Sequence, residues 1–251
     1  MPNTISIIPL FGLPAIEPGD NLIKMVIDAA FKQDIVIQDG DILVFAQKIV
    51  SKSEGRIVKV EDVSPSPFSI SASKLLDKDP RFVEIILRES QRIVRMDKGR
   101  LIVENTQGIV CANAGVDVSN VSGGEEVTLL PSNSDESAKG FTEGFKNELG
   151  LDVAVIITDT VGRPWREGLV QIAIGCYGIN PLKDYRGKED SRGYDLRATV
   201  LAVADEISSA AGLVMGKTEG VPVVIVRGYD YERSTEGAKK LLRNPNNDLF
   251  R

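Results

Sequence analysis

The chain has 251 residues, of which 42% are apolar and 26% charged, with a formal net charge of −6 and a pI near 5.0. This composition is that of a soluble globular protein, and its acidity argues against a non-specific nucleic-acid binder. No apolar run approaches the roughly 20 residues of a membrane span, and the N-terminus lacks a basic-then-apolar leader, so the expected location is the cytoplasm.

In chain order, Thr4–Leu10 alternates and reads as a strand. Phe11–Ile16 is a turn, and Asp20 is placed to cap a helix over Asn21–Phe31. Asp39-Gly-Asp41 signals a turn before a strand over Ile42–Val50 that runs out into Lys52. Arg56–Val60 reads as another strand. Ser71–Asp77 and Arg81–Arg92 carry helical spacing broken by Pro80. Leu101–Glu104 and Gly108–Asn113 form a hairpin around Asn105–Gly108, and Val127–Leu130 is a short strand. A polar stretch at 131–137 is a weak candidate subdomain boundary within a single domain spanning 1–251. Ser137–Leu149 is an amphipathic helix ended by Gly150. Val153–Thr158 is a buried strand ending at Asp159, followed by a second apolar run, Val170–Tyr177. Ala198–Met215 reads as a helix, Val221–Val226 as a strand, and Ser234–Leu242 as a helical tail. Hairpin neighbours mixed with β-then-α order predict an α+β fold with mixed, largely antiparallel sheets and packed helices.

The chain contains no histidine. Acid–base or metal chemistry therefore falls to carboxylates, hydroxyls, lysines and carbonyls, and oxygen ligands suit Mg²⁺ or Mn²⁺ arriving with phosphates. Cys111 and Cys176 sit in apolar runs and read as buried free thiols. The segment after Asp159 is the most pointed: a carboxylate, the Thr160 hydroxyl, and Arg163 and Arg166 within eight residues of a buried strand. Guanidinium forks match phosphate and carboxylate alike. Gln47, Lys48 and Lys52 form a second segment able to neutralise phosphate, although a solvated strand end explains it as well. Asn113, Asp117, Ser119 and Asn120 cluster in a glycine-containing loop, as either ligands or turn formers. Lys183–Arg197 mixes charges with tyrosines and glycines, fitting a solvated loop or a substrate cover. Met215, Gly216, Lys217, Thr218, Glu219 and Gly220 form a turn that can also meet a purine or phosphate.

As a set, Val50-Ser-Lys-Ser-Glu-Gly-Arg56, Asn113-Ala-Gly-Val-Asp-Val-Ser-Asn120, Ile157-Thr-Asp-Thr160, Asp184-Tyr-Arg-Gly187, Val203-Ala-Asp-Glu-Ile207 and Leu213-Val-Met-Gly216 resemble the coenzyme F420-0:γ-glutamyl ligases. The similarity runs from Leu13 to Gly228. It implies a GTP-dependent enzyme that joins L-glutamate to the lactyl carboxylate of F420-0 and then adds γ-linked glutamate. It further implies an intertwined homodimer using Mn²⁺ or Mg²⁺ with a monovalent cation such as K⁺. Carried over, Leu13, Pro14, Ala15 and Ile16 meet the nucleotide, as do Gln47, Lys48, Lys52, Asn120 and the 215–220 loop. Asp117 and Asp159 hold one metal and Thr160 a second. Phosphoryl transfer to the carboxylate, with Lys52 and one of the catalytic candidates Arg163 and Arg166 offsetting charge, would need no histidine. Two departures stand out. Lys217 occupies the place where the family usually offers an acidic or amide ligand, leaving Glu219 to take over or Lys217 to contact phosphate. Gln47-Lys48 replaces a small hydroxyl pair seen in some members, which bears on GTP against ATP. The rival readings are a carboxylate–amine ligase with another acceptor, and a nucleotide-binding protein that has lost ligation.

Overall fold

The computed structural model describes residues 4–121 and 124–249, with side chains other than those of residues 119–125. In chain order its elements are β1 (Ser6–Leu10), α1 (Leu22–Lys32), β2 (Ile42–Ala46), α2 (Gln47–Ser53), β3 (Ile57–Lys59), α3 (Pro67–Leu76), α4 (Pro80–Arg88), β4 (Ser90–Asp97), β5 (Arg100–Asn105), β6 (Val110–Ala112), β7 (Asp117–Val121), β8 (Gly124–Thr128), α5 (Ser134–Leu149), β9 (Ala154–Arg163), β10 (Arg166–Tyr177), β11 (Lys183–Asp184), β12 (Val200–Leu201), α6 (Val203–Met215) and β13 (Val223–Arg227). The protein is α+β, with mixed and largely antiparallel sheets, as its sequence predicts.

The central sheet has the order β1-β13-β2-β9-β10, and only β2 and β9 pair in parallel. Ile42–Phe45 and Ala154–Ile157 are fully buried because both faces of the sheet are covered, which is why these runs are apolar without alternation. Leu43, Phe45, Val155, Ile157 and Ile225 pack against α1 and α5 through Leu22, Val26, Ala138 and Phe145. Phe45 stacks on Phe141, with ring centroids 4.9 Å apart. Ile42, Val44, Ala154, Ile156 and Val224 face α6 through Val203, Ala204, Ile207, Ala211 and Met215. A separate core of Leu76, Val83, Ile86, Leu101, Val103, Val116 and Val127 joins α3 and α4 to two three-stranded sheets, β3-β8-β7 and β4-β5-β6. Among the described residues, no helix is long and apolar enough to cross a membrane.

Several expected boundaries move, each for a local reason. The apolar run from Ile42 does not stay a strand to Val50. The chain turns helical at Gln47, whose buried side-chain oxygen accepts the Ser51 hydroxyl one turn on, at 2.9 Å. Lys48 and Lys52 therefore ride on a helix rather than on a strand end. Asn21, not Asp20, caps α1 by accepting the Lys24 N–H, while Asp20 accepts that of Glu17. Pro80 opens α4 at its first position instead of breaking a helix. Residues 90–92 leave the helix for β4, which turns into β5 through Lys98-Gly99, both at positive φ, a two-residue hairpin turn. Asn133 caps α5 at Ser134, three residues before the expected start. Helix α6 begins at Val203 rather than Ala198, and the tail is helical only as a short 3₁₀ turn over Ala238–Leu241.

At the start of β2, the Asp41 carboxylate is 1% exposed. Both its oxygens accept the Arg227 guanidinium from β13, at 2.8 and 2.7 Å, and one also accepts the Gln38 N–H. Removing the arginine leaves a buried carboxylate uncompensated. Arg227→Ala is expected to cost about 3 kcal/mol in urea unfolding, and Arg227→Lys less. A loss below 0.5 kcal/mol would show that the pair does not hold β13 to β2.

Candidate active site

Because β2 and β9 run parallel, their carboxyl ends leave the sheet on the same edge. Pairing ends at Ala46 with Thr158, so the next residues, Gln47 and Asp159, open side by side onto a cavity of about 750 Å³. A crevice beyond the carboxyl ends of parallel strands, of this size, is where α/β proteins hold small ligands. Its walls come from six segments: 13–16 after β1, the end of β2 with the start of α2, β6 with the turn into β7, residues 158–162 of β9, Leu169 and Gln171 of β10, and the 215–222 loop between α6 and β13.

Two carboxylates and two ammonium groups meet there. The Lys48 ammonium lies 2.5 Å from the Asp117 carboxylate. Across the cavity, the Lys217 ammonium donates to the Thr160 hydroxyl at 2.5 Å. Asp159 accepts the Thr160 N–H at 2.7 Å. Burial pushes the Asp159 pKa up to about 6. The Thr160 N–H and Lys217 pull it down, the Asp117 charge pushes it up, and Lys48 pulls it down, so all four charged side chains share one field. Lys52 lines the same wall, half-buried on α2.

Asp117 reaches the site through a strained turn. Asn113, Ala114 and Gly115 all have positive φ, at 52°, 57° and 74°. Left-handed backbone is tolerated by Asn but unfavourable for Ala, and such strain at Ala114 persists where the surroundings over-determine it. A Cβ on Gly115 would stand 2.8 Å from the Leu130 side chain, so glycine is required there on two counts. Neighbouring Cys111 faces the cavity, but burial pushes its thiol up to about 12, leaving it protonated and inert.

Most of the residues singled out from sequence converge here. Leu13, Pro14, Ala15, Ile16, Gln47, Lys48, Lys52, Asp117, Asp159, Thr160, Met215, Gly216, Lys217 and Gly220 all line the cavity. Thr218 and Glu219 do not. The Glu219 carboxylate folds back to accept the N–H groups of Lys217 and Thr218. Arg163 and Arg166 also stand apart: they face each other at the tip of the β9–β10 hairpin, where Arg163 donates to the Glu167 carbonyl. Strand β9 does not stop at Asp159, as its apolar run suggests, but continues to Arg163 as a ribbon with β10. Asn120 pairs with Glu125 through the backbone, and its side chain lies outside the described residues. The segment 183–197 does not line the cavity; Lys183 and Asp184 pair with Leu201 and Val200.

Sequence reading missed Thr158 and Gln171. The Thr158 hydroxyl donates to the Ile172 carbonyl and to the Gln171 side-chain oxygen, at 2.7 and 3.2 Å. Gln171 pairs with Thr160 across the strands, and its stem lies where a Cβ on Gly212 of α6 would stand. The only sequence signal was a polar residue inside an apolar strand run.

A cavity that gathers ammonium groups, the desolvated Asp159 carboxylate and the half-exposed Asp117 carboxylate at a strand-pair edge has the character of an enzyme site for charged small molecules. The sequence model of the F420-0:gamma-glutamyl ligase family matches residues 11–228. A coenzyme F420:L-glutamate ligase of Methanothermobacter thermautotrophicus is 44% identical over 250 residues, covering 98% of this chain and 99% of its own. Proteins of the same name from Methanopyrus kandleri and Methanocaldococcus jannaschii are each 43% identical, covering 94% and 86% of this chain and 93% and 86% of their own. The chain belongs to the F420-0:γ-glutamyl ligase family and is a ligase.

Burial holds the Asp159 pKa above its ordinary value of 3.8, at about 6. Ionising it therefore costs folding free energy that is absent below pH about 4 and fully present above pH about 6. In protein free of metal and nucleotide, Asp159→Asn is expected to raise stability at pH 8 by on the order of 2 kcal/mol. The gain should vanish as pH falls towards 4. Thermal melts across pH check this, and a variant less stable than the parent at pH 8 would refute a costly buried charge.

Proposed function

We propose that the protein joins L-glutamate to coenzyme F420-0 by an amide bond at the expense of GTP, and then adds further glutamate through the γ-carboxylate. The observation that carries this reading is the meeting of Asp117 and Asp159 with Lys48, Lys52 and Lys217 on one cavity, in a chain of this family. A carboxylate oxygen is a poor leaving group, so the acceptor carboxylate first takes the γ-phosphoryl group, releasing GDP and forming an acyl phosphate. The neutral amine of glutamate then attacks the acyl carbon, and phosphate leaves with the bonding pair.

Such a transfer asks the protein for positioning and charge neutralisation. Two carboxylates and the Thr160 hydroxyl are an oxygen-donor set, and Mg²⁺ commonly takes one or two carboxylates together with substrate phosphates. Among the described residues there is no group of three or more acidic or thiol ligands, which fits an ion completed by the nucleotide. Asp117 and Asp159 would hold Mn²⁺ or Mg²⁺, which supplies Lewis-acid stabilisation of the phosphates. The lysines do the remaining work. Lys52 has no ion-pair partner among the described residues and is free to meet a phosphate, while Lys48, now paired with Asp117, would be freed to do the same were Asp117 to hold the metal.

The expected assay result is phosphate release from GTP with Mn²⁺ only when F420-0 and glutamate are both present, with a mass gain of one or more glutamyl units in the product. Asp159→Asn, though stably folded, is expected to lose turnover by at least a hundredfold. Lys52→Ala is expected to raise the nucleotide KM about tenfold or more, the loss of one charge-assisted hydrogen bond. Near-normal ligation by Asp159→Asn would refute the metal role, and product formation without F420-0 would point to another acceptor.

A homodimer is part of the same proposal. Beyond Thr158, β9 and β10 leave the sheet as a two-stranded ribbon, a unit only marginally stable alone in water. Trp165 at its tip is 81% exposed and Leu169 66% exposed. A second copy covering the ribbon would bury both. Light scattering is expected to give twice the chain mass, falling to the monomer for Trp165→Ser/Leu169→Asp; a monomeric parent would refute it.

A further inference from the structure

The loop after α6 is built to deliver one positive charge. Gly216 takes φ 54°, ψ −153°, a conformation that favours glycine, and a Cβ there would collide with the Glu219 carboxylate. That carboxylate closes the loop by accepting the N–H groups of Lys217 and Thr218 at 2.7 and 2.8 Å. It is therefore engaged within its own loop and does not line the cavity. The side chain that does enter is Lys217, with its ammonium 2.5 Å from the Thr160 hydroxyl oxygen. Lys217 meets Thr160 of β9 and Lys48 meets Asp117 of β7, two separate pairs lining the same cavity.

We propose that the Lys217 ammonium is a built-in cation that fills the Thr160 side of the site, so that the site takes one divalent ion, on Asp117 and Asp159, and not a second. The inference rests on the divalent-ion reading given above. An ammonium is a compact point charge with three donors. One donor is spent on Thr160, and the others are free to meet phosphate oxygens, as a bound monovalent cation would. A second divalent ion on the same hydroxyl oxygen would stand against the ammonium in a partly desolvated cavity, where like charges repel strongly. Being tethered, the charge is present at a fixed effective concentration whatever the ionic medium.

The two sides of the site respond differently to substitution. Lys217 is exposed and lies outside the apolar cores, so charge reversal there leaves the core intact. Lys217→Glu would convert the ammonium into a carboxylate beside Thr160 and create the second ion site that the native chain lacks. Titration of Mn²⁺ followed by its paramagnetic resonance and by calorimetry, alone and with saturating GDP or ADP, counts the ions. The native protein is expected to bind one Mn²⁺ per chain and Lys217→Glu two, with Lys217→Gln as the second variant should the first melt early. Two ions in the native protein, or one in folded variants as in the parent, overturns the proposal. No Mn²⁺ in any of the proteins overturns the divalent-ion reading and this inference with it, a result distinct from a count of two.

Discussion

The site depends on the parallel pairing of β2 with β9 in a sheet that is otherwise antiparallel. Parallel neighbours cannot be joined by a tight turn, and the connection here spans residues 47–153. That stretch holds α2 to α5, two further sheets and their own core, and it brings β7 to the edge where β9 emerges. Asp117 and Asp159 are far apart in sequence because the crossover that makes the strands parallel also carries one of them. Covering both faces of the sheet follows from the same pairing and accounts for the unbroken apolar runs.

Around that edge, folding and function pull against each other. The Asp159 carboxylate is held where burial disfavours its charge, and its neighbours Lys48, Asp117 and Lys217 offset one another only in part. A core optimised for stability alone would not place two acids there. Asp41 is the contrasting case: more deeply buried, but gripped by two nitrogens of the Arg227 guanidinium, so its charge serves the sheet. The difference between a structural and a functional acid here is whether the chain itself supplies the full complement of partners.

Fold class and most cavity residues were legible because they rest on local patterns: apolar runs for β2 and β9, glycine at 150 ending α5, and the motif set shared with the ligase family. What was not legible depended on chain direction or tertiary contact. Gln47 could extend a strand or begin a helix, and only burial of its side chain against Ser51 decides. Arg163 and Arg166 sit close to Asp159 in sequence, yet four more residues of extended strand, at about 3.3 Å each, carry the chain off along the ribbon to Arg163. Glu219 looked like a ligand by type, but its carboxylate serves its own loop. Gln171 was hidden because a strand residue's neighbours lie on the adjoining strand and on α6, out of reach of any local window.

The left-handed turn at Asn113, Ala114 and Gly115 leads directly into β7 with Asp117 as its first residue. Side chains alternate faces along a strand, so adding or deleting a single residue in that turn would reverse the orientation of everything after it. Asp117 would then point away from the cavity, and a valine would take its place, Val118 on deletion and Val116 on insertion. Relatives of this protein should therefore tolerate changes of side chain between β6 and β7 more readily than any change in the number of residues there.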